Sequence, residues 1–498
     1  MAVLQRLLRR PLGRMLGPRI GRRVRLPSGR AGKVAVAALV LVLAAATGVG
    51  AALGGPAVLA NLIAAANPVR IAPPPAPVVP QPALRAVGTR APVPSAAGLA
   101  AVLDQLAGSA ALGQFAGVVL DPAGELGTQA GTPSALWSRD AGRRLVPGST
   151  AKLVTAAAAL LALDPDARLA TTVVAGAEPG TVVLVGGGDP TLSALPAGLE
   201  SVYPGAPKLD DLAAQVRTAV SGGVRRVLVD VGRYTGDQLG PGWHAADVPG
   251  GFVAPIVPVM LDGGRGVPTV SETPRSRNPA ITAAAELARR LGAQPGSAAV
   301  GAAPPGAALL GTVRSQPIKE LVAQALRISD NVLAEVLARE VALATGAPPT
   351  FAGAVDAMRA VLTANGIDTA ELRLVDGSGL STRNQVSPTA LAGLLAAAAA
   401  PGRSDPRTSK LRQLLDGLPV AGGTGTLADR YDDPAGPGRG YVRAKTGTLA
   451  SANSLAGVVL DVEGRLLVFA LLSNGSTSTT ARPALDAIAA ALRQCGCR

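Results

Sequence analysis

Apolar residues are arranged in two ways along this 498-residue chain: one long uncharged stretch near its start, and shorter periodic segments after residue 97. Residues 34–69 carry no charge, and residues 34–53 consist almost entirely of Ala, Val, Leu and Gly. At about 1.5 Å of rise per residue, a helix over residues 34–53 would span the roughly 30 Å hydrocarbon core of a bilayer. The pattern therefore predicts a transmembrane helix over these residues.

A basic segment precedes this stretch, because residues 1–33 contain ten Arg or Lys and no acid. Such a flank holds the N-terminus in the cytoplasm and places the rest of the chain outside. An uncleaved signal-anchor, a cleaved export signal with Ala64-Ala65-Ala66 at the peptidase site, and a buried helix are the three interpretations. We expect a single-pass protein of the cell membrane with an extracytoplasmic catalytic domain or, after cleavage, a protein exported to the periplasm or cell wall.

Outside residues 1–33 the charge is nearly balanced, with 37 basic residues against 33 acidic ones. Because no nucleic-acid-binding signature is present either, binding of DNA or RNA is not expected. No zinc-type spacing of Cys or His occurs, so the sequence predicts no metal and no cofactor. The sole histidine, His244, would have to serve any Ser-His-Asp triad, and nothing in the sequence identifies its partners.

The periodic segments are separated from the apolar stretch by a Pro-rich linker over residues 67–97, which is typical of a semi-rigid spacer. After it, apolar periodicity predicts strands at residues 114–121, 443–449, 455–460 and 466–472, and helices at residues 149–163, 318–345 and 481–493. Strands and helices at both ends indicate one α/β (α+β) domain made of residues 98–175 and 312–498. Residues 176–311 are rich in Gly and Pro with short strands, and are predicted to form an inserted domain.

Lysine is rare, since only six of the 47 basic residues are Lys. A remaining Lys is then a candidate for work that Arg cannot do, such as losing its proton. Lys152 lies three residues after Ser149, in the only Ser-x-x-Lys of the chain. On a helix these positions share a face, so a neutral Lys152 amine can take the Ser149 proton as the oxygen attacks a carbonyl. At the helix start, the Ser149 N–H is also free to stabilise an oxyanion.

A second cluster lies in the predicted helix 318–345, where Ser329 and Asn331 flank Asp330. A hydroxyl and a carboxamide can relay a proton and orient a substrate amide. Taken alone, Ser329 also fits an ordinary helix cap.

A third cluster, Lys445-Thr446-Gly447-Thr448, lies on the predicted strand 443–449. Together these residues offer positive potential, hydroxyl groups and close backbone access, which suit a substrate that ends in a carboxylate. Taken alone, Lys445 fits an exposed strand charge. The three clusters in this order favour one shared site over three separate structural roles.

The three clusters match the Ser-x-x-Lys, Ser-x-Asn and Lys-Thr-Gly set of penicillin-recognising serine enzymes. Further segments narrow the match: VGGGDPTL (185–192), DGSGLS (376–381), GTGTL (423–427) and AKTGTL (444–449). From about residue 98 to its end, the chain resembles the D-alanyl-D-alanine carboxypeptidase/endopeptidase family, the class C low-molecular-mass penicillin-binding proteins. The resemblance implies a five-stranded antiparallel sheet flanked by helices, an all-helical lobe, an active site between them and an inserted domain.

The resemblance also implies roles for the first two clusters. Ser149 corresponds to the acylated nucleophile and Lys152 to its general base. Ser329 corresponds to a proton relay toward the leaving amine. Asn331 corresponds to the side chain that holds the substrate amide and supports Lys152.

For the third cluster, the resemblance makes Lys445 the electrostatic partner of the Ser329 hydroxyl and of the substrate carboxylate. Thr446, Gly447 and Thr448 correspond to substrate-binding positions, and the Thr448 N–H to the second oxyanion donor. The segment 376–381 is predicted to be a structural turn, since Gly and Ser beside an Asp suit a tight hydrogen-bonded loop.

The function implied is that of a serine-type D-Ala-D-Ala carboxypeptidase or endopeptidase, which cleaves peptidoglycan stem peptides through a Ser149 acyl-enzyme and is acylated by β-lactams at the same residue. A β-lactamase on a related scaffold is one alternative, against which the long insertion and residues 376–381 argue. An inactive wall-binding protein is another, against which the three intact clusters argue.

The two cysteines, Cys495 and Cys497, are too close together to form a disulfide framework. A frayed terminus with little role is the simplest interpretation. A strained bridge or a metal-binding pair are the alternatives.

Overall fold

The computed structural model describes residues 91–124, 134–401 and 405–497. The basic segment, the predicted membrane span over residues 34–53 and most of the Pro-rich linker lie outside the described residues. Within those three ranges, no helix combines the length and the apolar character needed to cross a bilayer.

The described residues contain both helices and strands, interspersed along the chain, which confirms the predicted α/β class. The helices are α1 (Ala96–Ala107), α2 (Lys152–Ala162), α3 (Leu209–Ala219), α4 (Pro279–Leu291), α5 (Ile318–Arg327), α6 (Asn331–Ala344), α7 (Phe351–Ala364), α8 (Pro388–Ala399), α9 (Pro406–Asp416) and α10 (Ser478–Gln494). The strands are β1 (Gln114–Leu120), β2 (Ala135–Arg139), β3 (Arg168–Ala175), β4 (Thr181–Val185), β5 (Arg226–Asp230), β6 (Ala299–Val300), β7 (Leu309–Pro317), β8 (Leu372–Arg373), β9 (Gln385–Val386), β10 (Val442–Thr448), β11 (Ala452–Leu460) and β12 (Leu466–Asn474).

The first sheet, called here the catalytic sheet, has the strand order β10-β11-β12-β1-β2 and pairs antiparallel throughout. Successive side chains of a strand point to opposite faces. Val118 therefore packs with the helical lobe, whereas Val119 packs with the core that α1 and α10 share. Because helices cover both faces, β11 and β12 are buried along nearly their whole length. This arrangement confirms the predicted antiparallel sheet flanked by helices.

The helical lobe consists of α2 and α5–α9, whose apolar side chains form one core with a face of the catalytic sheet. α2 lies at its centre and is buried from Lys152 to Leu161. Its run of Ala residues lets the neighbouring helices approach closely, because Ala side chains are small. The polar end of this buried helix is its start at Lys152, which directly follows the turn that carries Ser149.

The second sheet, called here the inserted sheet, has the order β6-β5-β4-β3-β7. β3 pairs antiparallel with β4 and β7, whereas the pairs β4/β5 and β5/β6 are parallel. Parallel neighbours need crossover connections, which α3 and α4 supply. Since β3 begins at Arg168 and β7 ends at Pro317, the inserted sheet extends beyond residues 176–311, the predicted limits of the inserted domain. A change in Gly and Pro content marks those limits, but it does not reveal which strands pair.

The C-terminal cysteines are ordered rather than frayed, so the simplest interpretation of them is wrong. Cys495 and Cys497 form a disulfide, and the Cys495 side chain is buried beside α1 and α10. The Cys497 carbonyl accepts a hydrogen bond from Ser95 N at 2.6 Å. Residues 495–497 therefore pack against the start of α1, a contact between distant parts of the sequence.

Candidate active site

Ser149 and Lys152 are held by a tight turn that leads into α2. Gly148–Ala151 forms a 3-10 turn, and α2 begins at Lys152 rather than at the predicted residue 149. The spacing of three still brings the side chains together, since Lys152 Nζ lies 2.9 Å from Ser149 Oγ. Ser149 faces a cleft, whereas Lys152 is buried behind it.

The Lys152 amine has two further partners. Its Nζ lies 2.5 Å from Asn331 Oδ1 and 2.7 Å from the Ser378 carbonyl oxygen. The Asn331 amide is oriented by its own Nδ2, which donates to the Phe252 carbonyl at 2.9 Å. Both oxygens that face Lys152 can only accept hydrogen bonds. A neutral amine that donates to both would therefore direct its lone pair toward the Ser149 hydroxyl.

Burial lowers the pKa of Lys152 from its ordinary value to about 8. Three nearby carboxylates act against this effect: Asp330, Asp376 and Glu335. An amine with this pKa is half neutral at about pH 8 and can then accept a proton. The site thus meets the electrostatic requirement for a lysine base.

The second cluster lies at a break between helices, so the prediction of one continuous helix over residues 318–345 is wrong. α5 and α6 are separated by residues 328–330, and Ser329 has a positive φ of 59°. Asp330 caps α6 by accepting a hydrogen bond from Leu333 N at 2.9 Å. α5 ends at Arg327, and the extended Asp330 then starts α6, which leaves the Ser329 side chain at the wall of the cleft.

The third cluster meets the second one through Lys445. Lys445 Nζ lies 2.9 Å from Ser329 Oγ and 2.8 Å from the Thr446 carbonyl oxygen. Burial lowers the pKa of Lys445 well below its ordinary value, and the charge of Lys152 adds to this effect. Two amines enclosed in one site disfavour the state in which both are charged. The structure therefore brings all three predicted clusters to one place.

Gly447 lets β10 pass directly beside the Ser149 turn. A Cβ atom at position 447 would lie 3.1 Å from Ser149 N and would overlap the Pro147 carbonyl oxygen. On the other side of this contact, a Cβ atom at Gly148 would lie 3.0 Å from Thr448 N. Gly is required at both positions for this approach, which brings the backbone amides of residues 149 and 448 to the same side of the cleft.

The cleft in front of these groups has a volume of about 770 Å³. Ser149, Ser329, Asn331, Thr446 and Thr448 line it, so the structure places five of the eight predicted site residues on its wall. Residues that follow the inserted sheet's β5 also line the cleft, among them His244, Asp247, Phe252 and Glu272. The cleft therefore lies between parts of the chain that are far apart in sequence.

The sequence model of one family matches most of this chain: the D-Ala-D-Ala carboxypeptidase 3 (S13) family, over residues 99–275 and 266–495. The chain belongs to this family. A carboxypeptidase of Mycobacterium tuberculosis is 45% identical over 433 residues, covering 86% of this chain and 90% of the relative. Carboxypeptidase DacB of Mycolicibacterium smegmatis is 46% identical over 439 residues, covering 87% and 91%. The predicted family and a serine D-Ala-D-Ala carboxypeptidase activity are thereby confirmed.

The fold also matches a solved structure. Penicillin binding protein 4 (dacB) from Haemophilus influenzae superposes with a TM-score of 0.64 at 21% sequence identity, covering 79% of this carboxypeptidase and 97% of that protein. At this identity the match concerns the fold, and it agrees with the sheets and the helical lobe described above.

A buried charge cluster behind Ser329 is absent from the sequence-based prediction. Asp330 Oδ2 lies 2.6 Å from Arg265 Nη2, 3.9 Å from Arg275 Nη2 and 2.9 Å from the Tyr203 hydroxyl. Burial raises the pKa of Asp330, but the two guanidinium groups outweigh it and hold the pKa well below its usual range. Since Arg265 is 65 positions from Asp330, no local spacing pattern could have revealed this contact.

The turn over residues 376–381 is structural, as predicted, and it also positions the Ser378 carbonyl beside Lys152. Asp376 closes it by accepting hydrogen bonds from Gly379 N and Ser381 N, each at 2.8 Å. Glu335 of α6 accepts from Ser378 N at 2.7 Å and also from Gly377 N. These bonds fix the Ser378 carbonyl that contacts Lys152. A structural turn thereby also orients the amine of the carboxypeptidase.

Proposed function

We propose that Ser149 is the nucleophile of the D-Ala-D-Ala carboxypeptidase reaction and that Lys152 is its general base. The observation that carries this proposal is the 2.9 Å separation between Lys152 Nζ and Ser149 Oγ at the wall of the cleft. Asn331 Oδ1 and the Ser378 carbonyl engage the amine from the other sides, which leaves Ser149 as the group that can donate to it.

In the acylation step, a bond forms between Ser149 Oγ and the carbonyl carbon of the penultimate D-Ala, while Lys152 takes the hydroxyl proton. The oxyanion lies between the Ser149 and Thr448 backbone N–H groups. The C–N bond then breaks, and the proton held by Lys152 passes to the leaving amine by way of the Ser329 hydroxyl, which returns Lys152 to its neutral form. Water attacks the resulting ester with the same base, which releases the shortened peptide and restores Ser149.

The remaining predicted residues hold the substrate. The Asn331 carboxamide binds the amide next to the scissile bond, and Lys445 with Thr446 and Thr448 binds the terminal carboxylate. The Thr446 hydroxyl lies 2.8 Å from the Thr426 hydroxyl, so a second Thr supports this wall. Gly447 contributes close backbone approach and no side chain.

Peptidoglycan stem peptides ending in D-Ala-D-Ala are the proposed substrates, and β-lactams are the proposed inhibitors that acylate Ser149. Mass spectrometry after penicillin treatment tests the assignment: the wild-type protein should gain one adduct on Ser149, and Ser149→Ala should gain none. An adduct that persists in the variant would refute Ser149 as the nucleophile.

A digest of isolated muropeptides with the purified protein separates the possible activities. Release of D-Ala supports the carboxypeptidase reaction, and loss of cross-linked dimers would add endopeptidase action. Unchanged muropeptides would instead support an inactive wall-binding protein. Many turnovers of a chromogenic β-lactam, in place of a single burst, would indicate a β-lactamase.

We further propose that residues 34–53 anchor the protein in the cell membrane with its catalytic domain outside. The support is the uncharged stretch itself and the ten basic residues before it. Fractionation of cells and N-terminal sequencing of the recovered protein test this. An intact N-terminus in the membrane fraction supports the anchor, whereas a new N-terminus after Ala66 supports a cleaved export signal.

A further inference from the structure

Arg482, in the second turn of α10, lines the cleft beside the Lys445–Thr448 strand. Its Nη2 donates a hydrogen bond to Thr448 Oγ1 at 3.1 Å. Thr446 and Thr448 are two positions apart on β10 and both line the cleft, as expected because alternate residues of a strand share a face. The guanidinium therefore extends the row of groups proposed to bind the substrate carboxylate.

Most hydrogen-bond donors of the Arg482 guanidinium have no acceptor among the described residues. A guanidinium has five N–H donors in a planar fork. Among the described residues, the Thr448 hydroxyl is the one acceptor that Arg482 reaches, and no carboxylate forms an ion pair with it. The remaining donors are free for a ligand in the cleft.

The neighbouring Arg430 behaves differently. It lies in the same wall, but Asp486 neutralises it through two hydrogen bonds, Nε to Oδ2 at 3.0 Å and Nη2 to Oδ1 at 2.7 Å. Partial burial and the positive charge of Arg430 lower the pKa of Arg482, whereas the negative charges of Asp486 and of Glu272, which also lines the cleft, favour its charged form. Because Asp486 is paired with Arg430, Arg482 is left at this end of the cleft without a carboxylate partner among the described residues.

We propose that Arg482 binds the α-carboxylate of the residue that carries the leaving amine, together with Thr446 and Thr448. This inference rests on the proposed function, because it needs a carbonyl at Ser149 and a carboxylate next to the departing nitrogen. The planar fork matches a carboxylate bidentately. Arg482 then selects substrates in which that carboxylate is free and rejects those in which it is amidated.

The test compares wild-type, Arg482→Gln and Arg482→Lys proteins on two N-acylated D-Ala-D-Ala peptides, one with a free C-terminal carboxylate and one with a C-terminal carboxamide. We expect Arg482→Gln to lower kcat/KM for the carboxylate peptide by about 10- to 100-fold, with little change for the carboxamide. Arg482→Lys should retain part of the preference. Arg493→Gln is the matched control, because it removes one positive charge from the same helix outside the cleft.

Acylation of Ser149 by benzylpenicillin and by its methyl ester gives the same comparison without peptide turnover. Arg482→Gln should slow acylation by the free acid and leave the rate with the ester nearly unchanged. Equal loss with both compounds would reduce Arg482 to a support for Thr448, and no loss with either would remove it from the site; each result overturns the proposal. A wild-type protein that penicillin does not acylate would instead refute the proposed function itself.

Discussion

The two five-stranded sheets of this carboxypeptidase contribute to the cleft in different ways. The catalytic sheet is antiparallel, covered by helices on both faces, and carries Lys445 and its neighbours directly on the edge strand β10. The inserted sheet is mixed, and no predicted site residue lies on its strands. Segments that follow its strand β5 instead reach the cleft and the Ser329 break.

This difference separates the reacting groups from the groups that position them. Ser149, Lys152 and Lys445 belong to the catalytic sheet and helical lobe, whereas Arg265 and Arg275 approach Asp330 from the insertion. Because Asp330 adjoins both Ser329 and Asn331, a charge contact from the insertion holds the second cluster in place. The insertion is therefore part of the active-site structure and not merely an appendage.

The largest effect is expected from a substitution that removes the base from the helical lobe. Lys152→Ala should slow penicillin acylation of Ser149 by about 10²- to 10⁴-fold, because no other neutral amine contacts its hydroxyl in the described residues. Stopped-flow acylation rates measure this. Lys319→Ala is the matched control, since Lys319 is an exposed lysine paired with Asp166. An unchanged rate in Lys152→Ala would contradict the assignment of the base.

The next largest effect is expected from a substitution that breaks the contact between the insertion and the second cluster. Arg265→Met leaves Asp330 with weaker compensation in a buried site, and should lower the free energy of unfolding by about 3–5 kcal/mol. The exposed Arg289→Gln should cost less than about 1 kcal/mol. Denaturant unfolding measures both.

A double variant distinguishes charge from packing in that contact. Asp330→Asn keeps a good capping side chain but removes the charge, so Arg265→Met/Asp330→Asn should recover part of the stability that Arg265→Met loses. A double variant as unstable as the sum of the two single variants would show that the charges do not interact.

The acylation rate should also depend on pH. With the pKa of Lys152 lowered to about 8 by burial, the neutral amine predominates above pH 8, and its fraction falls about tenfold for each pH unit further below. The rate should therefore rise with pH up to about 8 and then level off. Since Asp330 raises the pKa of Lys152, Asp330→Asn should move the midpoint to lower pH. A flat profile between pH 6 and 9 would exclude Lys152 as the titrating base.

The smallest effect is expected from the loss of a second contact made by the insertion, a hydrogen bond from Trp243 to Asp376. Trp243 Nε1 donates to Asp376 Oδ2 at 2.9 Å, and Asp376 is fully buried. Trp243→Phe should cost about 1–2 kcal/mol of unfolding free energy, because it removes a partner from a buried carboxylate. Trp137→Phe is the control, since the partner of Trp137 is the exposed Asp104. An equal loss of unfolding free energy in the two variants would argue against a special role for the hydrogen bond between Trp243 and Asp376.

Local spacing in the sequence determined the parts of this protein that follow from helix and strand geometry. The separation of three between Ser149 and Lys152 predicts their contact, because a helical turn repeats at nearly that interval. Apolar runs near the C-terminus predict β11 and β12, since strands covered on both faces need apolar residues at every position. The three clusters and their order indicated a penicillin-recognising serine enzyme, and the segments 185–192, 376–381 and 423–427 narrowed the match to one family.

Tertiary structure alone decided the rest. The break at Ser329 arises where Asp330 caps α6 while Arg265 and Arg275 neutralise its carboxylate, and these partners lie far apart along the chain. The lowered pKa of Lys152 likewise depends on burial, which a linear pattern does not record. Short-range periodicity predicts the regular helices and strands, but burial, charge compensation and the break at Ser329 depend on side chains that only folding brings together.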